Sequence, residues 1–152
     1  FVTLSPIPGF VRWLKDALDD GSPIADLVAR LDEIDTEALN ALVSENAALI
    51  KGLAADYLYN AKHRTGQPLD PVARFHLHNG AVLHDLHALA DVSRNGLTQS
   101  LGTMVNYLYD LDKVEENHEA YASAHTLAVS KPFKSILGSA SPQSENRKLV
   151  NG

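Results

Sequence analysis

The sequence predicts an α+β domain, rich in helix and poor in strand. Apolar residues recur at the 3.6-residue helical period over long stretches, above all from Thr36 to about Ala61. The pairs Ser22-Pro23 and Asp70-Pro71 each set a capping side chain ahead of a first-turn proline. Strand-like runs are few and short, and proline or glycine interrupts them.

Taken in order, Val2 to Leu4 reads as a short strand stopped by Pro6 and Pro8. Gly9 to Leu18 reads as a helix with Phe10, Trp13, Leu14, Ala17 and Leu18 on one face, closed by Asp19-Asp-Gly21. Ser22 caps the next helix, whose apolar stripe is Ile24, Leu27, Val28 and Leu31. Thr36 to about Ala61 reads as one long helix, with Gly52 as a possible kink or close contact. The basic turn Lys62-His-Arg-Thr-Gly66 ends it, because cations and a glycine suit a helix C-terminus. Asp70 to Gly80 reads as a capped helix of about two turns with His76 in its last turn, since both Asn79 and Gly80 tolerate the left-handed conformation that ends helices. Ala81 to Asp91 is favoured as a helix by periodicity, although a chain released by Asn79-Gly80 could enter a buried strand. Leu97 to Leu111 reads as a helix with Leu97, Leu101, Met104, Val105 and Leu108 inward. Val114 to about Val129 reads as another, and residues 133–152 as a mobile, Ser-, Gly- and Asn-rich tail.

Composition bounds the function. The 152 residues make one ordinary domain, with 45% hydrophobic and 21% charged residues. A net charge of −6 argues against a nucleic-acid surface. The chain has no cysteine, which excludes disulfides, Cys-ligated zinc and thiolate catalysis. No apolar run approaches the ~20 residues of a membrane span. A bacterial-type cytoplasm is the expected compartment. The chain begins at Phe1 without an initiator Met, in residues that read as a strand already under way, so a natural N-terminal part is expected to precede it.

His76, His78, His84 and His87 cluster in sequence. The His76/His78 spacing shares a face only in a strand and the His84/His87 spacing only in a helix, so no single regular element presents all of them to a metal. His78, His84 and His87 are read as ordinary polar or partly buried side chains, and no metal is expected. His76 differs in that a short, firmly capped helix holds it. It is either a fixed acid–base imidazole or a core histidine bonded to a carbonyl, and the residues alone leave these readings balanced. Ser5, before Pro6, is ordinarily a cap or turn hydroxyl. No nucleophile elbow, phosphate loop or dinucleotide fingerprint is present. Tyr109, three residues beyond Asn106 on the expected helix, is a secondary candidate.

Leu4-Ser-Pro-Ile-Pro-Gly-Phe10, Asp70-Pro-Val-Ala-Arg-Phe-His-Leu-His-Asn-Gly-Ala81, Ala90-Asp-Val-Ser93 and Gly102-Thr-Met-Val-Asn-Tyr-Leu-Tyr109 together resemble the C-terminal part of the malonyl-CoA decarboxylase family. The matches run in order from residue 1 to about 121, and the His76 segment is the most specific. The resemblance implies the C-terminal portion of a GCN5-related N-acetyltransferase-like catalytic domain over residues 1–132. It implies a strand after Gly80, and a catalytic pair whose matching positions are Ser5 and His76. Asn79, Tyr109 and Arg74 become secondary candidates for substrate contact. The implied reaction converts malonyl-CoA to acetyl-CoA and CO2 with no cofactor, because the thioester is itself the electron sink. Ser5 would contact the carboxylate or the enolate and His76 would donate the proton, with the division between them left open. Arg12, Lys15, Lys62, Arg64 and Arg74 are possible partners for the CoA phosphates, although a solvated face is the commoner role of each. A homo-oligomer and a preceding part of the same enzyme are the expected partners. The alternatives are an acyl-CoA-dependent N-acyltransferase on the same scaffold, and a non-catalytic helical module binding through its apolar face from Leu39 to Tyr57.

Overall fold

The alternation of Val2-Thr-Leu-Ser5 is inverted: Val2 and Leu4 are exposed, whereas Ser5 is buried. In the computed structural model, which describes residues 1–138, this segment is strand β1 (Val2–Ser5). Helix α1 (Phe10–Ala17) buries Phe10, Val11 and Leu14. Helix α2 (Pro23–Ala29) starts as the sequence predicts, with the Ser22 hydroxyl accepting the N–H groups of Ile24 and Ala25. A single 3-10 turn at Leu31–Glu33 leads to Asp35, whose carboxylate caps the next helix by accepting the Ala38 N–H at 2.9 Å.

The expected single helix from Thr36 to Ala61 is two, α3 (Thr36–Glu45) and α4 (Ala47–Asn60). The break falls at Asn46 and not at Gly52. The Asn46 side-chain amide donates to the Leu42 carbonyl at 2.8 Å, and its backbone N–H reaches back to Val43 O. A side chain that competes with the backbone in this way loosens the helical ladder. The following helix α4 is buried on most of its circumference, including Ile50, Leu53, Ala54, Ala55, Tyr57 and Leu58. It is the central rod of the domain, packed on α1 and on elements that follow.

Helix α5 (Pro71–His78) is capped by Asp70 and ends as expected, although Gly80 alone takes the left-handed conformation (φ +88°) while Asn79 keeps φ −83°. The chain then enters strand β2 (Val82–His87), so the strand reading of this ambiguous segment is the one the structure adopts.

The expected helix from Leu97 to Leu111 divides into helix α6 (Arg94–Ser100) and strand β3 (Met104–Leu108). Left-handed Leu101 (φ 52°) and Gly102 (φ 77°) end the helix. Val105 and Tyr107 are then fully buried in alternation, a period of two that Met104, Val105 and Leu108 disguise as a helical one. Helix α7 (Val114–Ala124) also stops short of the expected Val129, at left-handed His125. Beyond it the chain runs extended beside β2, with the Leu83 N–H donating to Ala128 O and the Ser130 N–H to Leu83 O. Packed structure continues past residue 132 in helix α8 (Lys131–Gly138), whose Phe133 is fully buried against the core. The expected mobile tail otherwise falls on residues 139–152, outside the described residues.

Among the described residues the sheet is three-stranded and antiparallel, in the order β1-β3-β2. β3 is thus the central strand. Ser5 lies opposite Val105 and Thr3 opposite Tyr107 on its one side, and Leu86 lies opposite Val105 on its other. The result is an α+β fold, helix-rich with a small sheet.

Candidate active site

Registration of β1 against β3 builds one polar face. Thr3 and Ser5 alternate to the same side of the sheet as their neighbours Tyr107 and Val105, and Tyr109 continues that side. Helix α5 brings His76 onto this face. Its imidazole stacks on the Tyr107 ring at 4.3 Å between centroids, with the planes 21° apart. The floor therefore fixes the ring plane, while the two nitrogens point along the sheet.

Each nitrogen has a hydroxyl partner. Nε2 lies 3.4 Å from Ser5 Oγ, although the residues are 71 apart in the chain. Nδ1 lies 2.5 Å from the Tyr109 hydroxyl. Ser5 Oγ also shares a hydrogen bond with Thr3 Oγ1 at 3.1 Å. A neutral imidazole donates from one nitrogen and accepts at the other, so the chain Tyr109–His76–Ser5 is directional in either tautomer. Burial pushes the His76 pKa below its ordinary value, which favours the neutral ring. Burial also raises the Tyr109 pKa, so its hydroxyl holds its proton. The site can therefore move a proton between a fixed imidazole and a hydroxyl facing it.

Of the residues expected from the sequence, Ser5, His76 and Tyr109 are brought together. Arg74 is not. It precedes His76 by two residues on a helix, a rotation of roughly 200°, and its charge is felt at Tyr57 and Tyr121 instead. Asn79 donates its amide to the Phe75 carbonyl at 2.9 Å, within its own helix end. Tyr109 arrives from the end of a strand and not from the helix expected, and Asn106, on the opposite face, hydrogen-bonds Thr3 O and His87. The remaining clustered histidines disperse. His78 meets His118 and Tyr121 edge-on, and His87 pairs with Asn106. Among the described residues there is no group of three or more His, Asp or Glu side chains placed to hold a metal.

Tyr107 and Thr3 escaped the sequence reading. Their signal is the alternation of Val105, Tyr107 and Tyr109, legible only once 104–108 is taken as strand.

Comparison with known proteins gives the same family from several directions. The model of the malonyl-CoA decarboxylase C-terminal domain matches residues 1–147. The rat protein named malonyl-CoA decarboxylase, mitochondrial, is 35% identical over 161 residues, covering 90% of this chain and 32% of the rat protein. Its goose counterpart from Anser anser anser is 34% identical over 173 residues, covering 98% of this chain and 34% of its own. The crystal structure of malonyl-CoA decarboxylase from Rhodopseudomonas palustris superposes with a TM-score of 0.76 at 42% identity, over 90% of this chain and 33% of that one. The Agrobacterium vitis malonyl-CoA decarboxylase gives 0.78 at 40% identity, over 91% and 35%. The chain spans about one third of the length of these relatives. No helix among the described residues is long and apolar enough to cross a membrane. On the match along nearly its whole length, this chain belongs to the malonyl-CoA decarboxylase C-terminal domain family.

Proposed function

We propose that the protein carrying this chain decarboxylates malonyl-CoA to acetyl-CoA and CO2, with Ser5 and His76 as its catalytic pair. The observation that carries the reading is the 3.4 Å approach of Ser5 Oγ to His76 Nε2 on a face backed by Tyr107 and Tyr109.

Breaking the bond between the carboxylate carbon and the α-carbon leaves an electron pair on the α-carbon, delocalised into the thioester carbonyl as an enolate. The barrier falls if the carboxylate is held perpendicular to the thioester plane. It falls further if a preorganised donor meets the developing oxyanion. The Ser5 hydroxyl, nearly buried and braced by Thr3, serves as that contact with the carboxylate or enolate oxygen. His76 delivers the proton to the α-carbon. Tyr109, bonded to Nδ1, fixes the ring's tautomer and relays the replacement proton. Phe75, exposed and edge-on to His76, offers an apolar wall for the acyl-pantetheine arm.

The same reading takes β1-β3-β2 as the later part of a GCN5-related N-acetyltransferase-like sheet, on the support of a capped helix ending at Gly80 and running directly into β2. Homo-oligomeric assembly and a cytoplasmic location are proposed with this reading, and the rat and goose relatives are named mitochondrial. Sedimentation and cell fractionation test them.

Turnover of malonyl-CoA in D2O by the natural polypeptide is the direct test. The expected product is acetyl-CoA carrying solvent deuterium in its methyl group, with matching release of CO2. Consumption of acetyl-CoA by an amine, with free CoA released and no CO2 from malonyl-CoA, would assign the N-acyltransferase activity instead.

A further inference from the structure

Asp70 lies beneath the candidate site and not in it. It is wholly buried, and its carboxylate is shared among separate parts of the chain. Oδ2 accepts the Ala73 N–H at 3.0 Å and so caps α5, the helix that bears His76. Oδ1 accepts the Tyr57 hydroxyl of α4 at 3.2 Å. Gly9 packs against the same pair, since a Cβ built on it would lie 3.9 Å from Asp70 Oδ1. Gly9 follows Ser5 through the stiff segment Pro6-Ile7-Pro8. The Asp70–Tyr57 pair therefore packs the turn after Ser5 against the start of the helix carrying His76.

The junction has little slack. A Cβ on Gly9 would stand 2.4 Å from the Tyr57 hydroxyl oxygen. The Tyr57 ring is itself wedged against Phe10 and Trp13, at 5.9 and 5.3 Å between centroids. Burial, with the Asp70 charge beside it, pushes the Tyr57 pKa up, so its hydroxyl remains a donor to the carboxylate. A buried carboxylate left without its donors is strongly unfavourable, so Asp70 holds α5 to Tyr57, against which the Gly9 turn packs.

We propose that Asp70, held by Tyr57 against the Gly9 turn, is the positioning residue that sets the separation of Ser5 and His76. The inference rests on the Ser5/His76 reading above. It goes beyond that reading by placing control of the distance in a buried carboxylate that touches neither reacting group.

Asp70→Ala, Asp70→Asn, Tyr57→Phe and Gly9→Ala are compared with Ser22→Ala, which removes the cap of α2 and serves as a control for the loss of a helix cap elsewhere. Steady-state kinetics with malonyl-CoA use the natural polypeptide, at a temperature where circular dichroism shows each variant folded. A misplacement approaching 1 Å lowers turnover by about tenfold to a hundredfold. Asp70→Ala should lose that much kcat, with KM changed by less than about twofold. Asp70→Asn, which still accepts hydrogen bonds, should recover part of the loss. Ser22→Ala should lower the melting temperature and leave kcat unchanged. Should Asp70→Ala fail to fold, Tyr57→Phe and Gly9→Ala carry the test. Wild-type kcat in the folded members of the set overturns the proposal.

A second readout separates this inference from the functional reading. The His76 ring is followed by 15N NMR titration. Release of the clamp should raise its pKa toward the ordinary histidine value, and Asp70→Asn should restore it. A wild-type protein inert toward malonyl-CoA whose His76 titration responds in this way would overturn the decarboxylase reading and sustain the positioning role. An active wild type whose variants leave the His76 titration and kcat unchanged would overturn the positioning role alone.

Discussion

Tyr109→Phe is a narrow perturbation of the relay. The phenylalanine keeps the ring that packs 5.5 Å from Phe1 and 5.7 Å from His76, and keeps the backbone bond from the Tyr109 N–H to Phe1 O. Only the hydroxyl 2.5 Å from His76 Nδ1 is lost. In the resting state that bond joins neutral partners and is worth about 0.5–1.5 kcal/mol. When Nε2 gives up or regains a proton the ring gains charge character, and a charge-assisted bond is worth about 1.5–3 kcal/mol. The difference, about 1–1.5 kcal/mol, acts only in the transition state and corresponds to roughly a tenfold loss of kcat. KM should hold within about twofold, because the hydroxyl bonds the imidazole and not the substrate. Tyr109 is only half-buried, so water can replace part of the lost bond and the melting temperature should change little. Coupled assay of acetyl-CoA formation, with 15N shifts of the His76 ring nitrogens, measures both parts. Unchanged kcat alongside an unchanged tautomer would refute the relay.

Other consequences are structural. Gly80→Ala would put a Cβ 2.3 Å from the Val114 carbonyl oxygen at φ +88°, and should cost about 1–3 kcal/mol in urea unfolding. A loss under about 0.5 kcal/mol would contradict the close approach of α5 and α7. Arg94→Leu should cost about 2–3 kcal/mol, because its guanidinium donates to Leu31 O at 2.8 Å and Ile34 O at 2.6 Å. Thermal melts that do not shift would refute that tie. The His76 pKa is lowered in the folded state, so between that value and the ordinary ~6.5 the unfolded chain binds more protons. This contribution is complete above about pH 6.5 and is lost as pH falls through the window toward the folded-state pKa. His76→Gln should flatten that part of the stability–pH curve, and an unaltered slope would contradict it.

What the sequence disclosed depended on how local the determining physics was. Ser22-Pro23 and Asp70-Pro71 marked helix starts because a cap and a first-turn proline act within a few residues. Gly80 marked an end because its left-handed backbone is a local property. The strand at 104–108 was hidden because Met104, Val105 and Leu108 mimic a helical stripe, and only pairing with β1 and β2 on both sides selects the alternating reading. The break at Asn46 was missed because a side-chain bond to Leu42 O leaves the apolar period intact on either side. At the candidate site, the residues alone left Ser5 as a turn hydroxyl and His76 undecided, and only the family resemblance paired them. Their approach across 71 residues, the stacked Tyr107 and the Asp70–Tyr57 bond come from tertiary packing and had no local signal. The secondary candidates Arg74 and Asn79 lie apart from the imidazole, since helix geometry turns one away from it and the other bonds Phe75 O.

The central claim is that one hydroxyl and one imidazole do the chemistry together. Release of labelled CO2 from malonyl-CoA by Ser5→Ala, His76→Ala and the double variant of the natural polypeptide tests it most directly. Residues that act as a unit are not additive. Each single variant should lose at least about a hundredfold in kcat, and the double variant little more than the worse single. Near-normal CO2 release from both single variants, or losses in the double that multiply, would contradict the account.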